Sequence, residues 1–247
     1  MENESAVLEL ARWIDQSRRL MVLTGAGMST ESGVPDFRSQ EGFWSQFDPV
    51  KVASSEAISE NYPLFHRFYK ERLEGLEGIK PHRGHEILAT WEKRGTLNGI
   101  ATQNVDQLHQ QAGSHKVYEL HGSLKRFCCQ DCGEEAKEES FRTMEPCQSC
   151  GGRLRPGIVL FGERLPQEVW ATAISKAEKA DLILVIGTSL EVYPVNQFPY
   201  LTKGKVVVIN AEVTDQHRGF DAVIQGKAGG ILEQVEKEIQ RLKEVSL

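Results

Sequence analysis

Residues 19–39 read RLMVLTGAGMSTESGVPDFRS, and the fold class follows from them. Leu20 to Leu23 is a short apolar run of the kind that forms a buried parallel strand. It leads into Gly25-Ala26-Gly27, where missing side chains permit a tight turn and let backbone N–H groups approach a ligand. Strand, glycine turn and then a helix form the start of a dinucleotide site, in which the helix N-terminus offers N–H groups to a pyrophosphate. The fingerprint is incomplete. A dehydrogenase turn reads GxGxxG, whereas the sixth position here is Thr30, and no acidic residue convincingly closes a second strand about twenty residues on. Pro35-Asp36-Phe37-Arg38 follows instead. The glycines alone fit either a dinucleotide site or an ordinary turn of an α/β protein, and they say little of hydride transfer.

The 247 residues suffice for one large domain with an insertion. A 40% hydrophobic and 26% charged composition is that of a soluble globular chain. A net charge of −6 argues against a general nucleic-acid binder, since little here would neutralise a phosphate backbone. The start, MENESAVLELARW, lacks the basic and apolar regions of a signal peptide, and no apolar run reaches bilayer length. The expectation is a cytoplasmic protein that binds neither nucleic acid nor membrane. Oligomeric state is not legible.

Outward from the opening stretch, apolar spacing predicts a helix over 5–17 and, after Arg38, a loop through Trp44 and Pro49. A helix over 63–74, opened by Pro63, makes 42–80 a helical insertion without strand signal. A helix over 82–94 precedes two short strands, Gly99–Thr102 and Lys116–Leu120, which end at Gln103-Asn104-Val105-Asp106 and at His121. In an open parallel sheet, ligands bind outside such carboxyl ends. Beyond the interval 126–153 the alternation resumes with a strand over 158–161 and a helix over 166–179. Strands over 181–186 and 205–209 follow, ending in Gly187-Thr188-Ser189 and Asn210, and a closing helix completes the chain. The architecture is a doubly wound parallel α/β domain (1–41, 81–125 and 154–247). It carries a small discontinuous lobe made of the helical insertion and residues 126–153.

All five cysteines lie in the last of these intervals. Cys129-Gln-Asp-Cys132 and Cys147-Gln-Ser-Cys150 are two CxxC knuckles separated by 14 residues. Four thiolates so arranged surround one tetrahedral Zn²⁺ and leave no open coordination position, which makes the ion structural. A thioredoxin-like pair needs only one CxxC, and the segment is too polar to fold around a core of its own. Cys128 is left over.

Taken together, the segments GAGMSTESGVPDFRS (25–39), TQNVDQLH (102–109), ELHGSL (119–124), the paired knuckles, PGIVLFGE (156–163), GTSLEVYP (187–194) and Val208-Ile209-Asn210 resemble the sirtuin family of NAD-dependent protein lysine deacylases, in the family's order over nearly the whole chain. The resemblance implies a Rossmann-like NAD domain with a zinc lobe and NAD as co-substrate. It implies attack of an acyl-lysine carbonyl oxygen on the nicotinamide ribose, with release of nicotinamide and an O-acyl-ADP-ribose. His121 is implied as the general base, assisted by Asn104 and Asp106; read alone, His121 would be a satisfied strand-end histidine, and Asn104 and Asp106 would be helix caps. NAD contacts are implied at Gly25, Ala26, Gly27, Thr30, Asp36, Phe37, Arg38, Gln103, Asn104, Val105, Asp106, His121, Gly187, Thr188, Ser189, Asn210 and Ala228. Phe37 would shield the reacting ribose. Val159, Phe161, Gly162 and Val192 are implied to hold the acyl-lysine, and Trp44 either lines the cofactor loop or packs in the insertion.

One feature departs from a plain deacetylase. Tyr69 and Arg72 form the YxxR pair of family members that remove succinyl or malonyl groups, where the guanidinium binds the acyl carboxylate. Those members usually have Ala where Thr30 stands and Thr where Asp36 stands. The leading expectation is deacetylation. Desuccinylation, mono-ADP-ribosyl transfer and a catalytically silent NAD-sensing module are the alternatives.

Overall fold

The computed structural model describes residues 2–35 and 52–245. The strands are β1 (Leu20–Thr24), β2 (Leu97–Thr102), β3 (Val117–Glu119), β4 (Gly122–Cys129), β5 (Glu135–Ala136), β6 (Leu154–Ile158), β7 (Leu182–Ile186), β8 (Lys205–Asn210) and β9 (Ala222–Gln225). Six of them make a sheet in the order β3-β2-β1-β7-β8-β9, paired in parallel throughout. The chain builds outward from β1 on one side, then returns to β7 and builds outward on the other. The order therefore reverses between β1 and β7, and their carboxyl ends bound a crevice. This is the expected doubly wound architecture.

β1 and β7 are buried at every position, as central strands covered on both faces must be. Helices Glu2–Gln16, Arg83–Lys93 and Ala228–Val245 cover one face, their apolar stripes (Leu10 and Ile14, Leu88 and Trp91, Leu232 and Val235) meeting Val22, Leu184 and Val207. Helix Gln167–Glu178 and the turn Val195–Leu201 cover the other through Ala173, Ala177 and Phe198.

The smaller sheet is antiparallel, in the order β5-β4-β6. It extends past both flanks of the interval 126–153. The strand expected over 158–161 lies instead at Leu154–Ile158 and pairs with β4 rather than with the parallel sheet. Helices Ser55–Glu60 and Tyr62–Gly75 pack on it. Phe65, Phe68, Tyr69 and Leu73 share one apolar cluster with Phe127, Cys129, Phe141 and Cys147, so helices and cysteine segment bury a core that neither has alone.

The segment after the glycine turn departs from expectation. Among the described residues up to 35, β1 leads not into an α-helix but into two three-residue 3₁₀ turns, Ala26–Met28 and Thr30–Ser32, the second ended by Gly33 at φ +91. The first is held by Met28 N–H to Gly25 O (2.9 Å) and Ser29 N–H to Ala26 O (3.0 Å), the three-residue closure of that helix type. The reason is crowding. Gly27 N–H donates to Gly187 O at 2.8 Å, and a Cβ on Gly27 would sit 2.8 Å from Gly187 Cα. Gly187 itself takes φ +64, and a Cβ there would collide with Met28 N. Gly187→Ala should therefore cost about 2–4 kcal/mol of stability in urea unfolding, from clash and left-handed backbone together. An unchanged midpoint would mean that the two loops need not touch.

Candidate active site

Four loops meet at the β1/β7 crevice. The loop after β1 is tied to β7 by Gly25 N–H to Ile186 O (3.0 Å), and the loop after β2 to β1 by Gln103 N–H to Thr24 O (2.9 Å). Gln103 Nε2 then spans the crevice to Thr188 Oγ1 at 2.9 Å. Thr188 is braced from behind by His217, whose Nδ1 accepts the Thr214 N–H (3.1 Å), so that Nε2–H donates to Thr188 O at 2.9 Å.

A second network runs through buried Ser29. Its hydroxyl donates to Asp106 Oδ2 at 2.7 Å and accepts from Asn104 Nδ2 at 3.0 Å. Asp106 Oδ1 also accepts the Leu108 N–H (2.9 Å), so the capping role and a place in the site coexist. Burial raises the Asp106 carboxyl above its usual value, opposed by the Leu108 N–H, the Ser29 hydroxyl and the charge of Arg72. Below lies a buried floor. Thr24 Oγ1 donates to Thr102 Oγ1 (2.8 Å) and receives His109 Nε2 (3.0 Å), and His109 stacks edgewise on buried His85 at 4.9 Å. Burial drives these histidines to about 3 and about 2, so both are neutral.

His121, after β3, is half-buried. Its Nδ1 lies 3.2 Å from the Gln103 carbonyl, which only accepts, so Nδ1 carries the proton and Nε2 keeps its lone pair. Burial pushes its pKa below 6.5, against the opposing pull of that hydrogen bond. The His121 carbonyl accepts the Val159 N–H at 2.9 Å, which joins this loop to residues 159–162. Phe161, 46% exposed, is held through its N–H to Ala53 O (2.9 Å), and Gly162 turns at φ +89.

Among the residues expected from sequence, Gly25, Ala26, Gly27, Gln103, Asn104, Val105, Asp106, His121, Gly187, Thr188 and Ser189 thus lie on the loops that bound the crevice. Thr30 is exposed beside it, its hydroxyl on Gly27 O. Asn210 ends β8, Ala228 opens the closing helix shortly after β9, and Val192 is 42% exposed on the loop after β7. Asp36, Phe37, Arg38 and Trp44, with the loop expected after Arg38, lie outside the described residues. Ser29 and His217 were not singled out from sequence: each acquires its role from partners that only the fold brings near.

The cysteines form the other centre. The Sγ atoms of Cys129, Cys132, Cys147 and Cys150 all lie within 4.8 Å of one another, with Cys129–Cys150 at 3.5 Å and Cys132–Cys147 at 3.7 Å. A zinc tetrahedron with Zn–S of about 2.3 Å has edges of about 3.8 Å, and a disulfide needs about 2.05 Å. The four thiols fit the ion.

A family model described as the Sir2 family matches residues 25–194. The chain belongs to the Sir2 family. It is 46% identical over 231 residues to an NAD-dependent protein deacetylase of Oceanobacillus iheyensis, covering 92% of this chain and 98% of that one. It superposes on the crystal structure of a Sir2 homolog–NAD complex with a TM-score of 0.89 at 36% identity, covering 95% of this chain and 94% of the other. A Sir2 protein with a histidine changed to alanine, bound to a deacetylated p53 peptide and 3′-O-acetyl-ADP-ribose, matches with a TM-score of 0.88 at 33% identity, covering 93% and 97%.

The Sir2 cysteine site generates a direct expectation. Native mass spectrometry should find one zinc per chain, and Cys147→Ser should release it and open the core around Phe127 and Phe141 to proteolysis. Undiminished metal content in folded Cys147→Ser protein would exclude the four-thiolate site.

Proposed function

We propose that this Sir2 chain is an NAD-dependent protein lysine deacetylase, which moves the acetyl group of an acetyl-lysine to ADP-ribose with consumption of one water, releasing nicotinamide, free lysine and O-acetyl-ADP-ribose. The observation that carries the reading is the state of His121: a neutral imidazole, its proton fixed on Nδ1 by the Gln103 carbonyl, at the crevice that also holds Asn104 and Asp106. Its Nε2 takes the proton of a ribose hydroxyl, which raises that oxygen's nucleophilicity toward the acyl carbon. Asn104 and Asp106, locked through Ser29, offer an amide and a carboxylate to the nicotinamide ribose. The pyrophosphate is assigned to the backbone of the glycine loops after β1 and β7, and the adenosine half to Thr188, Ser189, Asn210 and Ala228. Val159, Phe161, Gly162 and Val192 receive the acyl-lysine. Zinc takes no part in the chemistry, since four thiolates fill its coordination.

Cytoplasmic residence belongs to the same reading: clustered reduced thiols suit a reducing compartment. Among the described residues no helix is long and apolar enough to cross a membrane.

Desuccinylation has one observation in its favour. Tyr69 is buried, and Arg72 stacks on the Phe68 and Tyr69 rings at 5.9 and 5.7 Å, close enough to Asp106 for the two charges to shift each other's titration. A guanidinium so placed suits a carboxylate-bearing acyl group.

Purified protein with NAD and acetyl-lysine or succinyl-lysine peptide, followed by product mass, should give nicotinamide and O-acetyl-ADP-ribose in equal amounts. His121→Ala should cut turnover by about a hundredfold to ten-thousandfold. A base whose pKa is lowered is active above that pKa and loses activity as pH falls through it, so the acid limb of kcat/KM should have its midpoint below 6.5. Preferential succinyl removal would favour the second reading. ADP-ribose on protein would favour a transferase, and intact NAD a silent sensor; a midpoint above 7 would remove His121 as the base.

A further inference from the structure

Residues 158–163 are held from several directions although little of the segment is regular structure. Val159 N–H donates to His121 O and Phe161 N–H to Ala53 O, both at 2.9 Å. The Leu160 N–H between them donates to Glu163 Oε2 at 2.8 Å, while Glu163 N–H closes the turn onto Leu160 O at 3.0 Å. A carboxylate folded onto its own turn needs an anchor, and buried Arg155 supplies it. Its Nη1 and Nη2 donate one to each Glu163 oxygen, the second at 2.9 Å. Nη2 also donates to Ile158 O at 2.6 Å, Nε to Pro156 O at 3.3 Å, and Nη1 to Gln130 Oε1 at 2.9 Å. One guanidinium therefore grips the first and last residues of the segment and the tip of the first cysteine knuckle. Burial alone would raise the Glu163 carboxyl, but the hydrogen bonds from Arg155 and Leu160 outweigh it and keep the group ionised.

We propose that Arg155, acting through Glu163, is a positioning residue for acyl-lysine: it fixes the 158–163 segment against His121 and ties it to the cysteine module through Gln130. The substrate named here rests on the deacylase reading; the fixing of the segment does not. Only a planar fork of five donors serves these acceptors together, so lysine cannot replace it.

Three variants of the zinc-loaded protein test this: Arg155→Lys, Glu163→Gln and, at an exposed side chain, Gln130→Ala. The first two should raise KM for an acetyl-lysine peptide about tenfold while kcat and KM for NAD stay within about twofold. Gln130→Ala should raise KM for peptide in the same direction, by about twofold to threefold. Hydrogen exchange at the Val159, Leu160 and Phe161 amides should quicken in Arg155→Lys and Glu163→Gln, with β1 and β7 still protected. Unchanged KM and exchange would overturn the proposal. So would a joint fall of kcat, NAD affinity and melting temperature, the mark of a merely structural role. If the unsubstituted protein turns over no acyl peptide, the deacylase reading fails, and the exchange result still decides the role of Arg155. Should Arg155→Lys not fold, Glu163→Gln and Gln130→Ala decide it.

Discussion

Two glycine loops pressed backbone to backbone, Gly25–Gly27 after β1 and Gly187 after β7, set the geometry on which the rest depends. β1 and β7 are paired along their whole length, so the contact sets how closely the loops that leave their carboxyl ends approach each other. With no side chain intervening, the loop after β1 turns tightly enough to bring Ser29 over Asn104 and Asp106. The same closeness lets one glutamine, Gln103, bridge to Thr188. Parallel sheets with both faces covered have little other room for a ligand, which makes this reversal of strand order the natural place for one.

The site's electrostatics follow from burial. Asp106 is the acidic group at the centre, surrounded by neutral donors and by Arg72, over a floor whose histidines are uncharged. An uncharged floor leaves the Asp106 carboxylate and Arg72 as the neighbouring charged groups, with the His121 lone pair beside them. The smaller sheet closes the site from the other side, through Val159 on His121 and Phe161 on Ala53. Its own order comes from a shared core with two helices and from the cysteine cluster, because the polar segment between the knuckles buries too little by itself.

Much of this is legible in short-range pattern. The runs LILVI and KVVVI are strands because continuous apolar stretches suit strands covered on both faces, and the paired CxxC knuckles state a tetrahedral site by spacing alone. The misses have physical causes. β4 carries Lys125 and Arg126 at exposed positions, and its pairing shifts register between Ser123 and Phe127, so it has no clean alternation. β9 is four residues long, too short for a periodic signal. The helix expected after β1 yields to two 3₁₀ turns because the contact with Gly187, far away in sequence, decides it. Ser29 is 77 residues from Asp106, and nothing local marks it as more than a polar residue in a turn. Arg155 likewise acquires its role from groups that the smaller sheet assembles.

The most direct test is a crystal structure of the protein soaked with NAD and an acetyl-lysine peptide. The pyrophosphate should lie across the Gly25–Gly27 and Gly187 contact, with the nicotinamide ribose within hydrogen-bond reach of His121 Nε2 and beside Asn104 and Asp106. Cofactor bound away from the β1/β7 crevice, or a ribose that His121 does not reach, would contradict the account.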